Sequence, residues 1–191
     1  LLHRPDALME PEEVAAAFDQ LEQAGKVRHF GVSNQNPMMM ELLKTAVKQP
    51  LKVNQLQLSA AFTPSFEAGF HVNMEGAKAA VRDGSVFEYC RLTDTVIQAW
   101  SVLQHGYFKG NFVGKEEFAA LNHVLNDLAK KYQVTPTAIA LAWVLRYPGK
   151  MQAVIGTTKP QHVLEAGKAA AVTLTRKEWY QIYLAAGNDL P

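Results

Sequence analysis

Apolar and polar positions along this chain follow two periods that take turns. The first block is helical. Glu10-Pro11-Glu12-Glu13 opens it, since proline loses no hydrogen bond in a first turn and carboxylates favour the positive end of the helix dipole. Val14, Ala17, Phe18 and Leu21 recur at three- and four-residue spacing as one apolar stripe, and Gly25 is placed to end the helix. Residues 27–32 are short and β-rich and run into Ser33-Asn34. Asn36-Pro37 starts a second helix with Met39, Leu42, Leu43 and Ala46 on one face. Residues 51–59 then alternate, with Val53, Gln55, Gln57 and Ser59 on one side and Asn54, Leu56 and Leu58 on the other.

Between residues 60 and 93 the pattern is less regular. Phe62, Phe66, Phe70 and His71 stand among small and turn-forming residues, Arg82-Asp83-Gly84 is a turn, and a short helix over 86–92 follows. A strand is predicted over 95–100. After it comes a loop with Gly106, Gly110 and Gly114 that carries Tyr107, Phe108 and Phe112. Helices near 116–132 and 136–147 follow, the second capped by Thr135, and then a strand over 152–155. Pro160 opens a helix to about residue 170, and Thr175 caps a last one.

Strands that alternate with helices predict a parallel sheet, in which functional groups gather at the carboxyl ends of the strands. Those ends carry His3, Ser33-Asn34, Gln55 with Gln57, Trp100-Ser101 and Gly156-Thr157-Thr158-Lys159. Polar or aromatic groups at five successive strand ends are the main reason, from the residues alone, to expect an active face.

A doubly wound fold would carry G-x-G-x-x-G after its first strand, and this chain has no such turn. It also lacks a phosphate loop, H-E-x-x-H and G-x-S-x-G. A (β/α)8 barrel binds phosphate at the loops after its last two strands, where Trp100-Ser101 and Gly156-Thr157-Thr158-Lys159 stand. The expected fold class is therefore α/β, a parallel (β/α)8 TIM barrel. Such barrels have eight strands in about 250 residues. Four strands and the stub Leu1-Leu2-His3 predict that residues 1–191 supply roughly the C-terminal half of one barrel domain, its N-terminal strands and helices being absent. The stub reads as the end of a buried strand, because termini are ordinarily exposed and polar.

Composition narrows the function. Of 191 residues, 48% are hydrophobic and 19% charged, as in soluble globular chains. Nineteen Lys and Arg against 18 Asp and Glu give a net charge of +1, with no basic excess for a nucleic acid. No apolar run is long enough to span a membrane, and no basic-then-apolar leader opens the chain. Cys90 is the single cysteine, which excludes an internal disulfide and a cysteine metal cluster. No metal site is expected, and a reducing, cytoplasmic setting is the default.

Several stretches together resemble the aldo-keto reductases, in order and spacing. They are Leu1-Leu2-His3-Arg4-Pro5-Asp6, Gly25-Lys26-Val27-Arg28-His29-Phe30-Gly31-Val32-Ser33-Asn34, Val53-Asn54-Gln55, Ala99-Trp100-Ser101 and Val154-Ile155-Gly156-Thr157. The second is the most specific, and the nearest likeness is to a bacterial branch of general oxidoreductases. The resemblance implies NADPH-dependent reduction of aldehydes or ketones to alcohols by hydride transfer.

It also implies roles for residues. His3 takes the place of the histidine that orients the substrate carbonyl; alone it would read as a core histidine. Ser33, Asn34 and Gln55 match the trio that hydrogen-bonds the nicotinamide carboxamide, a group that needs both donors and acceptors. Alone, Ser-Asn after a strand is an ordinary helix start. Trp100 stands where the family has a ring-stacking aromatic, often Tyr; alone it is a large core residue. Ser101 and Leu103 fall where the pyrophosphate is approached, with Val102 where Pro is frequent. Gly156, Thr157, Thr158, Lys159, His162 and Glu165 match the stretch that holds the adenosine end. A cation near a ribose 2′-phosphate favours NADP over NAD, and Lys159 supplies most of that charge. His162 replaces a frequent Arg, and Ala166 a frequent Asn. Phe62, Phe66, Phe70, His71, Tyr107 and Phe108 are candidates for a substrate pocket, or equally for loop anchors.

In the family a tyrosine donates the proton, its pKa lowered by a lysine that is paired with an aspartate. Of that Asp-Tyr-Lys-His set, the resemblance finds only His3 in this chain. Two readings stay open. One is part of a longer reductase, with the isolated 191-residue chain inactive. The other is a non-catalytic dinucleotide-binding or assembly protein. The partner expected is a small carbonyl substrate, with neither nucleic acid nor membrane.

Overall fold

The computed structural model describes residues 1–4, 9–70, 86–106 and 109–188. Four strands, β1 (Phe30–Ser33), β2 (Leu51–Gln57), β3 (Val96–Trp100) and β4 (Met151–Ala153), form one sheet in the order β1-β2-β3-β4, with every pairing parallel. Parallel neighbours need a crossover, and helices supply it. Leu2 adds a parallel bridge to Val32, its N–H donating to the Gly31 carbonyl at 2.9 Å, so the stub expected from Leu1-Leu2-His3 lies beside β1. Gly31 is required there. A Cβ would come within 2.5 Å of the Val53 carbonyl oxygen and 2.9 Å of the Leu1 side chain.

The helices are α1 (Pro11–Gln23), α2 (Pro37–Lys44), α3 (Pro64–Phe70), α4 (Val86–Leu92), α5 (Ala119–Tyr132), α6 (Pro136–Leu145), α7 (Pro160–Gly167) and α8 (Arg176–Ala185). Their starts follow local chemistry. Asn36 accepts from the Met39 N–H at 2.9 Å, and Thr135 from that of Ala138 at 3.2 Å. Thr175 and Glu178 form a reciprocal capping box at α8. α3 was not expected from the irregular pattern of its segment.

One sheet face packs against helices. Leu56, Leu58, Ile97 and Ala99 are buried there with Phe87, Leu125, Ile139 and Trp143. α6 is buried continuously from Ala138 to Val144, as befits a helix apolar on all sides. A smaller core joins Phe18, Phe30, Val32, Met40, Leu43, Val47 and Leu51. Two expected stripes are corrected. α2 buries Met40 and Leu43 and leaves Leu42 49% exposed, because its face to the sheet is rotated one position from the predicted one. In α1, Phe18 is buried while Ala17 and Leu21 are exposed, since the helix turns Phe18 onto Phe30, at 4.4 Å between ring centroids, with Val14 and Ala15 packed beside it. The other sheet face carries Val53, Gln55, Gln57, Gln98, Trp100 and Gln152, none of them buried. Among the described residues, no helix is long and apolar enough to cross a membrane, and no three His, Cys, Asp or Glu are grouped to hold a metal ion.

Candidate cofactor site at the carboxyl rim

The rim begins where β1 ends. Ser33 is buried, and its hydroxyl donates to the Gln55 carbonyl at 3.0 Å. Asn34 has left-handed backbone (φ 56°), which asparagine adopts more readily than most residues. Its backbone N–H donates to the same Gln55 carbonyl at 3.0 Å, and its side-chain amide donates to Ser33 Oγ at 2.8 Å. Beneath them Asn54 is fully buried. Its Nδ2 donates to the Gln35 carbonyl at 2.8 Å, and its Oδ1 accepts from the Gln35 N–H at 3.4 Å. A buried amide bonded on both ends fixes the loop that carries Ser33 and Asn34.

A row of amides crosses the next strands. Ser33 pairs in register with Gln55, Gln55 with Gln98, and Gln98 with Gln152. Gln55 Nε2 donates to Gln98 Oε1 at 3.2 Å, and Gln98 Nε2 donates to Gln152 Oε1 at 2.9 Å.

Trp100 closes β3 and lines two cavities. The first, about 490 Å³, is walled by Arg4, Asn34, Leu56, Gln57, Phe62, Ser65 and Trp100. The Arg4 guanidinium lies 5.8 Å from the centroid of the Trp100 ring, within cation–π range. Gln57 Nε2 is a buried donor without a partner among the described residues. The second cavity, about 550 Å³, runs from Trp100 past Ser101, Leu103, Gln104 and Asn111 to Gly156, Thr157, His162 and Glu165. Ser101 also has left-handed backbone (φ 53°), and its hydroxyl donates to Gln104 Oε1 at 3.3 Å. Non-glycine residues rarely hold that conformation, and those that do cluster at functional sites. Here two follow strand ends on one rim.

After β4 the chain is extended. The Lys159 N–H donates to Thr157 Oγ1 at 3.2 Å, and Thr157 Oγ1 lies 3.4 Å from His162 Nδ1. Gly156, Thr158 and Lys159 are exposed, with Lys159 just before α7.

The structure thus brings Ser33, Asn34 and Gln55 together, and sets Trp100, Ser101, Leu103, Gly156, Thr157, His162 and Glu165 around one cavity. His3 is exposed beside the end of β1, and neither cavity wall includes His3, Thr158 or Lys159. Of the pocket candidates, Phe62 lines the first cavity. Phe66 does not: it is buried in the core, 4.7 Å from Phe87 and 5.5 Å from Trp179 between centroids. His71, Tyr107, Phe108 and the side chain of Phe70 lie outside the described residues, as does the 82–84 turn. Sequence reasoning missed Arg4, Asn54, Gln98 and Gln152. The signal for the two glutamines was one Gln at matching depth in each of two strands.

A model described as the aldo/keto reductase family matches residues 1–185. A 6-dehydroglucose reductase of Agrobacterium fabrum is 34% identical over 192 residues, covering 100% of this chain and 57% of that protein. The oxidoreductase YdhF of Escherichia coli is 34% identical over 193 residues, covering 100% of this chain and 58% of its own length. The chain therefore spans a little over half the length of these curated relatives. An aldo/keto reductase from Klebsiella pneumoniae, solved with NADP and acetate, superposes with a TM-score of 0.70 at 22% identity, over 95% of this chain and 56% of that one. The four-stranded sheet is accordingly part of a parallel (β/α)8 barrel.

Proposed function

The chain belongs to the aldo/keto reductase family, and from that premise we propose that it forms the cofactor-binding side of an enzyme that reduces aldehydes or ketones to alcohols with NADPH. The observation that carries this reading is the meeting of Ser33, Asn34, Gln55 and Trp100 on one rim.

The residues present fit a nicotinamide. When bound, the cofactor supplies a hydride from its ring. Ser33, Asn34 and Gln55 offer a hydroxyl, amide N–H groups and amide oxygens, the mixture that a carboxamide takes up. Trp100 offers a flat apolar face that holds the ring in one plane. The cavity of about 550 Å³ beyond it leads past the Ser101 hydroxyl and Gly156 to Thr157, His162 and Glu165, a path suited to the pyrophosphate and adenosine. Lys159 and Thr158 stand exposed at the far end, where the ammonium attracts a ribose 2′-phosphate and favours NADP over NAD. The smaller cavity receives the carbonyl compound, with Arg4, Gln57 and Ser65 as its polar groups and Phe62 as its apolar wall. His3 donates a hydrogen bond to the carbonyl oxygen and so orients it. The Agrobacterium relative is a reductase by name and the Klebsiella structure holds NADP, and both support the same reading.

The reading extends to the longer protein, because the family's tyrosine, lysine and aspartate are not found in this chain by the resemblance. Fluorescence titration of the intact protein with NADPH, paired with a turnover assay on a panel of aldehydes and ketones, tests it. Binding that weakens in Gln55→Ala and Ser33→Ala is the expected result. Absence of NADPH binding, or binding indifferent to both changes, overturns it.

A further inference from the structure

The amide row on the open sheet face has no part in the chemistry above beyond its first member. Gln55, Gln98 and Gln152 are register partners on three neighbouring strands, and both side-chain bonds run the same way, nitrogen to oxygen, from β2 towards β4. An amide has one donor end and one acceptor end. Committing Gln55 Nε2 to Gln98 leaves Gln55 Oε1 as its uncommitted atom among the described residues. On the other side, Ser33 gives its hydroxyl hydrogen to the Gln55 backbone carbonyl and not to Oε1.

We propose that Gln98, backed by Gln152, is a positioning residue that fixes the amide of Gln55 with its oxygen presented to the N–H of the nicotinamide carboxamide. This rests on the reading of Gln55 as a carboxamide partner. The two ends of an amide are nearly the same size, so packing alone does not choose between them. A flipped Gln55 sets its oxygen against the Gln98 oxygen and loses the bond. Gln98 makes the choice, because its Oε1 accepts only from the nitrogen end. Its own orientation is set in turn by Gln152, whose Oε1 takes the Gln98 N–H. Gln98 uses both ends of its amide within the row, its oxygen on Gln55 and its nitrogen on Gln152. Gln98 lines neither cavity and acts through Gln55.

The test uses the intact protein and two cofactors: NADPH and its reduced 3-acetylpyridine analogue, in which a methyl group replaces the amide NH2. The wild type is expected to prefer NADPH by about fivefold, the worth of one hydrogen bond. Gln98→Leu is expected to remove most of that preference, by raising the Kd for NADPH and leaving that of the analogue unchanged. Gln98→Glu is expected to keep it, since a carboxylate still accepts from Gln55 Nε2. Should Gln98→Leu fail to fold, Gln98→Met, closer in shape, repeats the measurement. Equal weakening of both cofactors, an undiminished preference, or loss of preference in Gln98→Glu as well overturns the positioning role. Gln55→Leu separates the two levels. If it abolishes the preference while Gln98→Leu does not, only the role of Gln98 falls. If the wild type shows no preference, the reading of Gln55 falls with it.

Discussion

Trp143 and Trp179 each donate their indole N–H to the other's backbone carbonyl, at 3.0 and 3.1 Å, with their rings stacked at 4.8 Å and 10°. The pair joins α6 to α8, and Tyr183 stacks on Trp179 at 5.7 Å. Trp143→Phe removes one bond and part of a buried ring. It is expected to cost about 2 kcal/mol. The double variant with Trp179→Phe is expected to cost less than the two single changes added, because both disrupt one stack. Urea unfolding at unchanged slope measures this.

Glu178 predicts an acid limit. Burial pushes its carboxyl up, but hydrogen bonds from Lys131, from the N–H and hydroxyl of Thr175, and from Tyr132 outweigh burial and hold its pKa at about 2. A folded pKa below the unfolded value means that the stabilisation is whole above about pH 4.5 and is lost as pH falls towards about 2. Melting curves of wild type and Glu178→Gln across that range check it. The gap between them is expected to be widest near neutrality and to close towards pH 2.

Lys159 carries the proposed choice of cofactor. Lys159→Ala is expected to raise the Kd for NADPH about tenfold and to change that for NADH by less than about twofold, the loss shrinking at high salt. An equal effect on both nucleotides would show that the ammonium does not meet the 2′-phosphate.

Asn54 touches neither cavity yet holds the loop that does. Asn54→Leu leaves the N–H and carbonyl of Gln35 without their side-chain partner. A cost of about 2 kcal/mol in stability is expected, together with weaker NADPH binding. Calorimetric melting and nucleotide titration of the same preparation read both.

The 191-residue chain expressed alone is expected not to oxidise NADPH with any carbonyl compound, since His3 is the one member of the family's catalytic set matched in it. Measured turnover by that chain would overturn the mechanism.

Much of this was legible from local chemistry. Asn36, Thr135 and Thr175 announce their helices because a cap bonds an N–H three residues away, well within reach of a sequence pattern. The strand-end residues were legible because a parallel sheet puts its functional groups on one rim. α3 was not, because distant partners hold it. Phe66 packs on Phe87, Trp143 and Trp179, and the Glu67 carboxylate accepts from the Tyr183 hydroxyl at 2.7 Å. The same packing makes Phe66 a core anchor, one of the two roles its loop setting had left open. The amide row was illegible for another reason. The alternation within one strand says which face Gln98 takes, but not that register sets it level with Gln55 and Gln152.

The left-handed backbone at Asn34 and Ser101 has a consequence for anyone wishing to toughen this protein. Glycine relaxes that conformation at no steric cost, so a search for sturdier variants is expected to select Asn34→Gly and Ser101→Gly early. Each gain would delete a side chain that lines a cavity. On this rim, heat resistance and the proposed nucleotide affinity draw on the same two residues and are expected to be set against each other.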